Sequence, residues 1–285
     1  MERKRTSLDT VCAALSEIMG IEPPKMAAKA NEDLVQYAKT AFDGGFADRI
    51  FMYNPDAVAQ WIAEKYGQWY LQEVEERTEL RLPLESVMPS VTPVCFATMY
   101  TGTQPEVHGI RKYEKPVVTT DSIFDALLRA GKKCAIVSYG NSSMSKIFLE
   151  REMDYYLCDS VPQANARAAE LILRDEHDFI AVYNGNYDGV MHKDGPEGAR
   201  TLAELRCNSE TFAMLDDLIT ANWQKHNTLV AFAMDHGCHE IDDNCGSHGL
   251  DMPEGPTPDM PAPVPPKPQV HPSDRRRIHS LQRRR

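Results

Sequence analysis

A chain of 285 residues with 42% hydrophobic and 26% charged content can bury the core of one large domain, which excludes an intrinsically disordered or low-complexity protein. No stretch reaches the ~18 consecutive apolar residues of a membrane span, and the start MERKRTSLDT lacks the apolar run of a signal peptide, so the expected compartment is the cytosol and no membrane partner is expected. The net charge of −11 is uneven: residues 256–285 hold Lys267 and six arginines against Asp259 and Asp274, a balance of +5 that leaves −16 for the rest, so nucleic acid is repelled by the body and could bind through that tail alone.

In chain order, Ser7 before LDTVCAALSEIM with Gly20 behind it, and NEDLVQYAKTAF before Gly44-Gly45, predict two helices forming an N-terminal helical extension over 1–45. RIFMY (49–53) is the first buried strand. TDSIFDALLRAG has a Thr or Asp start signal at 120–121 and a stop at Gly131, which predicts a helix. KCAIVSY (133–139), DFIAVY (178–183) and TLVAFAM (228–234) are further strands, and AELRCNSETFAMLDDLITANW, apolar at three- and four-residue steps, is a helix before the last of them. Strand followed by helix, repeated, implies an α/β fold: a largely parallel sheet sandwiched by helices in one domain over 1–255. Residues 256–285 contain eight prolines and no aliphatic periodicity, and are expected to be a Pro/Arg-rich unstructured tail. The seven cysteines, odd in number and scattered, read as reduced thiols.

Three of the four strands run directly into residues that ligate metals. RIFMY leads to Asn54-Pro55-Asp56, DFIAVY to Asp188 and His192, and TLVAFAM to Asp235-His236-Gly237. In an open parallel sheet the carboxyl ends of the strands share an edge where ligand sites form, so these residues should converge. Asp188 and His192 are four apart and stack on one face of a helical turn. His248 lies between glycines in Gly246-Ser247-His248-Gly249, where the backbone can approach a site closely. Carboxylates with imidazoles, without an orderly cysteine spacing, suit a catalytic zinc or manganese site with open positions.

The segment PSVTPVCFATMYTGTQPEVHGI (89–110) resembles the nucleophile segment of the alkaline phosphatase superfamily, most closely its nucleotide pyrophosphatase/phosphodiesterase branch. In that spacing the nucleophile lies ten residues before Gly102, at Thr92. Asp188-x-x-x-His192-x-x-Gly195, Asp235-His236-Gly237 and Gly246-Ser247-His248-Gly249 match further motifs of the branch in order, over residues 46–250. The resemblance implies two divalent metal ions, one held by Asp56, Thr92, Asp235 and His236 and the other by Asp188, His192 and His248. Three departures stand against it. The first strand ends Asn54-Pro55-Asp56 where the family has Asp-Gly, which leaves Asn54 as a rival to Asp56. Cys95 occupies the place at which the resemblance expects a phosphate-binding asparagine. The family's large insertions are missing.

The implied chemistry is a metal-dependent phosphoryl-transfer hydrolase for small phosphate esters, a phosphodiesterase in which Thr92 attacks phosphorus and water hydrolyses the phospho-threonine, with the ions clamping the attacking and leaving oxygens. Thr92 begins a helix through Phe96 and Tyr100 with Pro93 in its first turn, so free N–H groups there would favour an alkoxide or phosphate; without a metal cluster, Thr92 would be an ordinary N-cap. A phosphomonoesterase or phosphomutase of the same superfamily, and a non-catalytic metal- or ligand-binding protein on a degenerate scaffold, are the competing readings. His108 is expected to fix a turn rather than to bind substrate.

Overall fold

A computed structural model of the chain describes residues 6–242, 245–249 and 275–283. The polypeptide starts with β1 (Thr6–Ser7), α1 (Thr10–Ile18) and α2 (Glu32–Ala41), then enters β2 (Arg49–Pro55). After α3 (Gln60–Tyr70) and α4 (Gln72–Arg77) come β3 (Leu80–Glu85), α5 (Thr92–Thr101), α6 (Pro105–His108) and α7 (Ile123–Arg129). The middle of the chain holds β4 (Cys134–Tyr139), α8 (Met144–Ile147), β5 (Asp154–Cys158), α9 (Val161–Arg174) and β6 (Phe179–Asn184). It continues through α10 (Asn186–Asp194), α11 (Ala199–Asn222), β7 (Thr228–Ala233), the short hairpin β8 (His239–Asp242) and β9 (Cys245–Ser247), and β10 (Arg275–Arg283).

Eight of the described strands form one sheet in the order β1-β3-β10-β7-β2-β6-β4-β5, with parallel pairing throughout. Both of its faces are covered. Along β2, Ile50 and Met52 enter one core with Phe96 and Leu15, while Phe51 and Tyr53 enter the other with Leu205 and Phe212. The same alternation divides β6 and β7, which explains why these strands read as continuous apolar runs. The α/β sandwich expected from the alternation of elements is therefore the fold.

One expectation changes. The two N-terminal helices form as expected and pack onto the sheet: Val11, Cys12, Ala14 and Leu15 of α1 belong to the same core as Phe96 of α5, and β1 pairs with β3. The expected tail over 256–285 is corrected for Arg275–Arg283, which forms a strand between β3 and β7 with Ile278 opposite Leu80 on one side and Ala231 on the other. The physical reason is backbone pairing, because without β10 the facing edges of β3 and β7 would present unpaired N–H and C=O groups to each other across a gap. Residues 256–274 lie outside the described residues, as do 284–285.

The start signal of α7 also moves by one residue. Ser122 makes a capping box with Asp125, while Asp121 pairs with Arg129 across the helix. No helix among the described residues is long and apolar enough to cross a membrane.

Candidate active site

The sheet order places β2 between β7 and β6, so the three strands that end in ligand chemistry are neighbours. Asp56 follows β2, Asp235 and His236 follow β7, and Asp188 and His192 lie on α10 directly after β6. Asp235 is fixed by backbone donors: its Oδ1 accepts from the amides of Ala57 at 3.2 Å and His236 at 2.9 Å. Ala57 has the left-handed φ of +61°, a conformation that favours glycine and that the family motif Asp-Gly would supply at this point. Gly237 packs closely under α3, since a Cβ there would meet the Ala59 side chain at 3.1 Å, a tight contact.

Two donor groups result. Asp56, Asp235 and His236 form a fully buried one, and Asp188, His192 and His248 form a second, more open one. In the first, His236 Nε2 lies 3.3 Å from Asp56 Oδ1 and 3.4 Å from Asp235 Oδ2. In the second, the Nε2 atoms of His192 and His248 each lie 3.2 Å from Asp188 Oδ1. The groups adjoin, with the rings of His236 and His248 4.2 Å apart. Every one of the three imidazoles turns its Nδ1 to a main-chain carbonyl: Gly246 for His192, Gly237 for His236 and Ser90 for His248. That contact orients the ring and leaves Nε2 facing the site, the arrangement that metal-binding histidines use.

Thr92 opens α5 beside the first group. Its Oγ1 donates to Asp56 Oδ2 and lies next to His236 Nε2, both at 3.3 Å. The N-cap position belongs to Val91, and no side chain caps the helix, so the threonine is not an N-cap. The expected fan of free N–H groups is narrower than anticipated. Val94 and Cys95 both donate to Val91 O and Pro93 has no N–H, which leaves the amide of Thr92 itself. Cys95 is fully buried in the core with Phe96, and burial, then the charge of Asp235, pushes its thiol well above the usual range.

Asn54, the rival of Asp56, is occupied elsewhere. Its side chain accepts from the Tyr100 hydroxyl at 2.6 Å and donates to Ala233 O at 2.9 Å. His108 behaves as expected of a turn residue, with Nε2 3.0 Å from Thr98 Oγ1 and Nδ1 accepting from the Ile110 amide. Burial pushes its pKa from the usual 6.5 down to about 4. A neutral buried histidine stabilises the fold above its unfolded pKa and loses that contribution as pH falls through the folded one. His108→Ala is therefore expected to cost about 2 kcal/mol at neutral pH, through an orphaned buried amide, and to flatten the loss of stability between pH 6.5 and about 4, as urea titrations at several pH values would measure.

Over residues 74–252, more than half of the chain, the sequence matches the family described as type I phosphodiesterase / nucleotide pyrophosphatase. The chain belongs to this family. No curated protein matches it by sequence. Among solved structures, the murine ectonucleotide pyrophosphatase/phosphodiesterase 5 superposes with a TM-score of 0.56 at 13% identity over 68% of this chain and 58% of that one. An inactive threonine-to-alanine form of the same mouse protein, in complex with AMP, gives 0.56 at 13% identity over 69% and 59%. Phosphonoacetate hydrolase from Sinorhizobium meliloti 1021, in complex with phosphonoformate, gives 0.51 at 17% identity over 67% and 57%. At these identities the likeness is one of fold. The chain spans little more than half the length of these relatives.

In this member of the phosphodiesterase family the charges of the two donor groups are not balanced by the protein. Burial, then the charge of Asp188, pushes Asp56 up to about 7. Asp235 is raised well above the carboxylate range by burial and then by Asp56, and His236 is lowered to about 3 by burial and then by His248. Burial acts to raise Asp188 as well, but the facing imidazoles of His192 and His248 outweigh it and hold the carboxyl below its ordinary range. Asp56 Oδ1, Asp188 Oδ1 and Asp235 Oδ2 are buried without a hydrogen bond. Orphaned carboxylate oxygens that face three Nε2 atoms fit cations, which would supply the missing partners and reverse the shifts of Asp56 and Asp235.

Sequence reasoning missed Tyr183 and Ser90. Tyr183, buried near the end of β6, donates a short hydrogen bond to Asp56 Oδ2, and Ser90 holds both His248, through its carbonyl, and the amide of Gly249, through Oγ. Tyr183 is hidden within an apolar run. Ser90 carried no signal beyond its closeness to Thr92.

Proposed function

We propose that the chain is a two-metal phosphoric ester hydrolase that cleaves phosphodiester or pyrophosphate bonds of a small molecule through a phospho-threonine at Thr92. The observation that carries this reading is the Thr92 hydroxyl, 3.3 Å from both Asp56 Oδ2 and His236 Nε2, at the edge where the second donor group adjoins the first. One ion would be held by Asp56, Thr92, Asp235 and His236, and the other by Asp188, His192 and His248, with zinc or manganese suited to these nitrogen and oxygen donors. When bound, such ions lower the cost of deprotonating a hydroxyl and offset charge on the phosphoryl oxygens.

The residues of the chain supply the rest. Thr92 Oγ1 attacks phosphorus in line with the ester oxygen that leaves, so the new Thr92–phosphorus bond forms as the bond to the leaving oxygen breaks. The Thr92 amide, at the start of α5, is free to donate to a phosphoryl oxygen, where the positive end of the helix also favours negative charge. Water then attacks phosphorus, the Thr92 Oγ1–phosphorus bond breaks, one water proton restores the hydroxyl, and the water oxygen leaves on the phosphate product. Thr92, Asp56, Asp235 and His236 are all buried, which limits competing solvent and strengthens the electrostatic interactions among them. The AMP complex of the mouse relative supports a nucleotide as one form of substrate.

The test compares a nitrophenyl phosphate monoester with the bis-nitrophenyl diester, using protein loaded with Zn²⁺ or Mn²⁺. A diester preference that depends on Thr92 is the expected result. A monoester preference would favour a phosphatase or mutase instead, and binding of metal without Thr92-dependent turnover of either ester would favour a binding protein.

A further inference from the structure

In the buried donor group each side chain gives one polar atom to the protein and turns another to the site. Asp235 spends Oδ1 on the amides of Ala57 and His236, while its Oδ2 has no hydrogen bond. His236 turns Nδ1 to Gly237 O, so that Nε2 faces Asp56 Oδ1 and Asp235 Oδ2. Asp56 is divided in the same way by a residue that the hydrolytic chemistry does not use. Its Oδ1 is buried without a hydrogen bond, and its Oδ2 accepts from the Tyr183 hydroxyl and from Thr92 Oγ1. When the Thr92 oxygen bonds to phosphorus its proton is gone, and Tyr183 still donates to Oδ2.

Packing holds that phenol in place. Tyr183 is buried, with the ring of Phe96 set edge-on at 5.5 Å and the ring of Tyr139 stacked on it at 5.5 Å. A Cβ at Gly185 would collide with the hydroxyls of both tyrosines, so the backbone at the start of α10 closes over them. Phe96 stands one turn after Thr92 on α5, on the same face of the helix. Tyr183 therefore joins the helix of the nucleophile to the strand end that carries Asp56. A side chain already immobilised by its neighbours gives up little further entropy in holding a hydrogen bond.

A carboxylate binds a divalent cation through one oxygen or through both, and the partners of its second oxygen bias the choice. An O–H that donates to Oδ2 competes with an ion for that oxygen and leaves Oδ1 to coordinate. Asp56 Oδ1, Asp235 Oδ2, His236 Nε2 and Thr92 Oγ1 then make a small set of mixed nitrogen and oxygen donors, one atom from each residue, which suits four-coordinate zinc; manganese favours six, mostly oxygen. We infer that Tyr183 is a positioning residue that restricts Asp56 to one coordinating oxygen and so selects zinc over manganese in the buried donor group. This rests on the reading of those four residues as the ligands of one ion. Without the phenolic proton, Asp56 is free to close on the ion with both oxygens, which favours the cation that takes more donors.

Metal titrations on the full chain test the assignment, in the unmodified protein and in Tyr183→Phe, which keeps the ring and its packing against Phe96 and Tyr139. Dissociation constants for Zn²⁺ and Mn²⁺ are read by competition with a chromophoric chelator. Tyr183→Phe is expected to weaken one of the two zinc-binding steps about tenfold, the scale of loss when an outer partner of a ligand is removed. The manganese constant of that step should not rise, so the preference for zinc narrows by the same factor, and the other step should not move. The Co²⁺-loaded unmodified chain should show the intense visible bands of four-coordinate cobalt, which should weaken in the variant. A zinc-to-manganese ratio unchanged by Tyr183→Phe overturns the proposal, whether both constants rise together, as general loosening of the site would make them, or neither moves. A cobalt spectrum without four-coordinate bands in the unmodified chain overturns it with no variant needed. Failure of the unmodified chain to bind any ion removes the two-metal reading and this proposal with it, whereas two bound ions with an unmoved ratio remove this proposal alone.

Discussion

Thr92→Ala is expected to lower turnover of the preferred nitrophenyl ester by a thousandfold or more, the scale of loss when a covalent nucleophile is removed from a site that otherwise stays assembled. The fold should tolerate the change. The side chain of Thr92 does not cap α5, whose N-cap is Val91, and the helix is held by burial of all ten of its residues. Losing the γ-methyl from this position costs about 1 kcal/mol, which leaves folding intact. Metal content should also persist, since Asp56, Asp235 and His236 remain as one donor group and Asp188, His192 and His248 as the other. Thr92→Ser, which keeps the hydroxyl but not the methyl that restricts its rotamer, should recover part of the rate. Full activity in Thr92→Ala would remove the threonine from the mechanism. Loss of activity together with loss of one ion would make it a ligand whose role as nucleophile is unsupported.

The legibility of this site in the sequence depended on which side chains face apolar surroundings. β2, β4, β6 and β7 have both faces buried, so each is a short uninterrupted apolar run bounded by polar residues, and the ligands stand immediately behind three of them. β3 escaped notice because LRLPLE carries Pro83 and charged residues, the pattern of a strand with an incompletely buried face. β10 escaped because three consecutive arginines and a preceding proline-rich stretch outweigh any strand signal in local composition. The ambiguity between Asn54 and Asp56 was one of register: Asn54 is still within β2 and points at Tyr100 and Ala233, whereas Asp56 lies just past the strand, where the left-handed Ala57 turns the chain. Neighbourhood in the sheet decided the rest. That β2 lies between β7 and β6 is a long-range property, and without it Asp56, the Asp188/His192 pair and Asp235-His236 remain three separate short-range signals.

Metal loading is the other experiment with a large expected effect, because the two donor groups predict separable ions. Each ion present at a hundredfold excess over its Kd adds about 2.7 kcal/mol to stability if it binds the folded chain alone, which for a chain of this size raises Tm by several degrees per site. His192→Ala removes the most exposed donor, with 40% of its side chain accessible, from the group that keeps Asp188 and His248. It should reduce bound metal from two ions to about one after dialysis against an excess of weak chelator. Asp235→Asn should remove the other ion, since Asp235 Oδ2 is a buried carboxylate oxygen without a hydrogen bond and an amide is a much poorer ligand for a divalent cation. Both variants should lose hydrolysis, yet each should retain about half of the metal-induced rise in Tm. That complementary pattern cannot arise from general damage to the fold, which would lower Tm with and without metal alike. If either single variant released both ions, the groups would constitute one cooperative site, and the shared face between His236 and His248, whose rings are 4.2 Å apart, would be the place where the two are coupled.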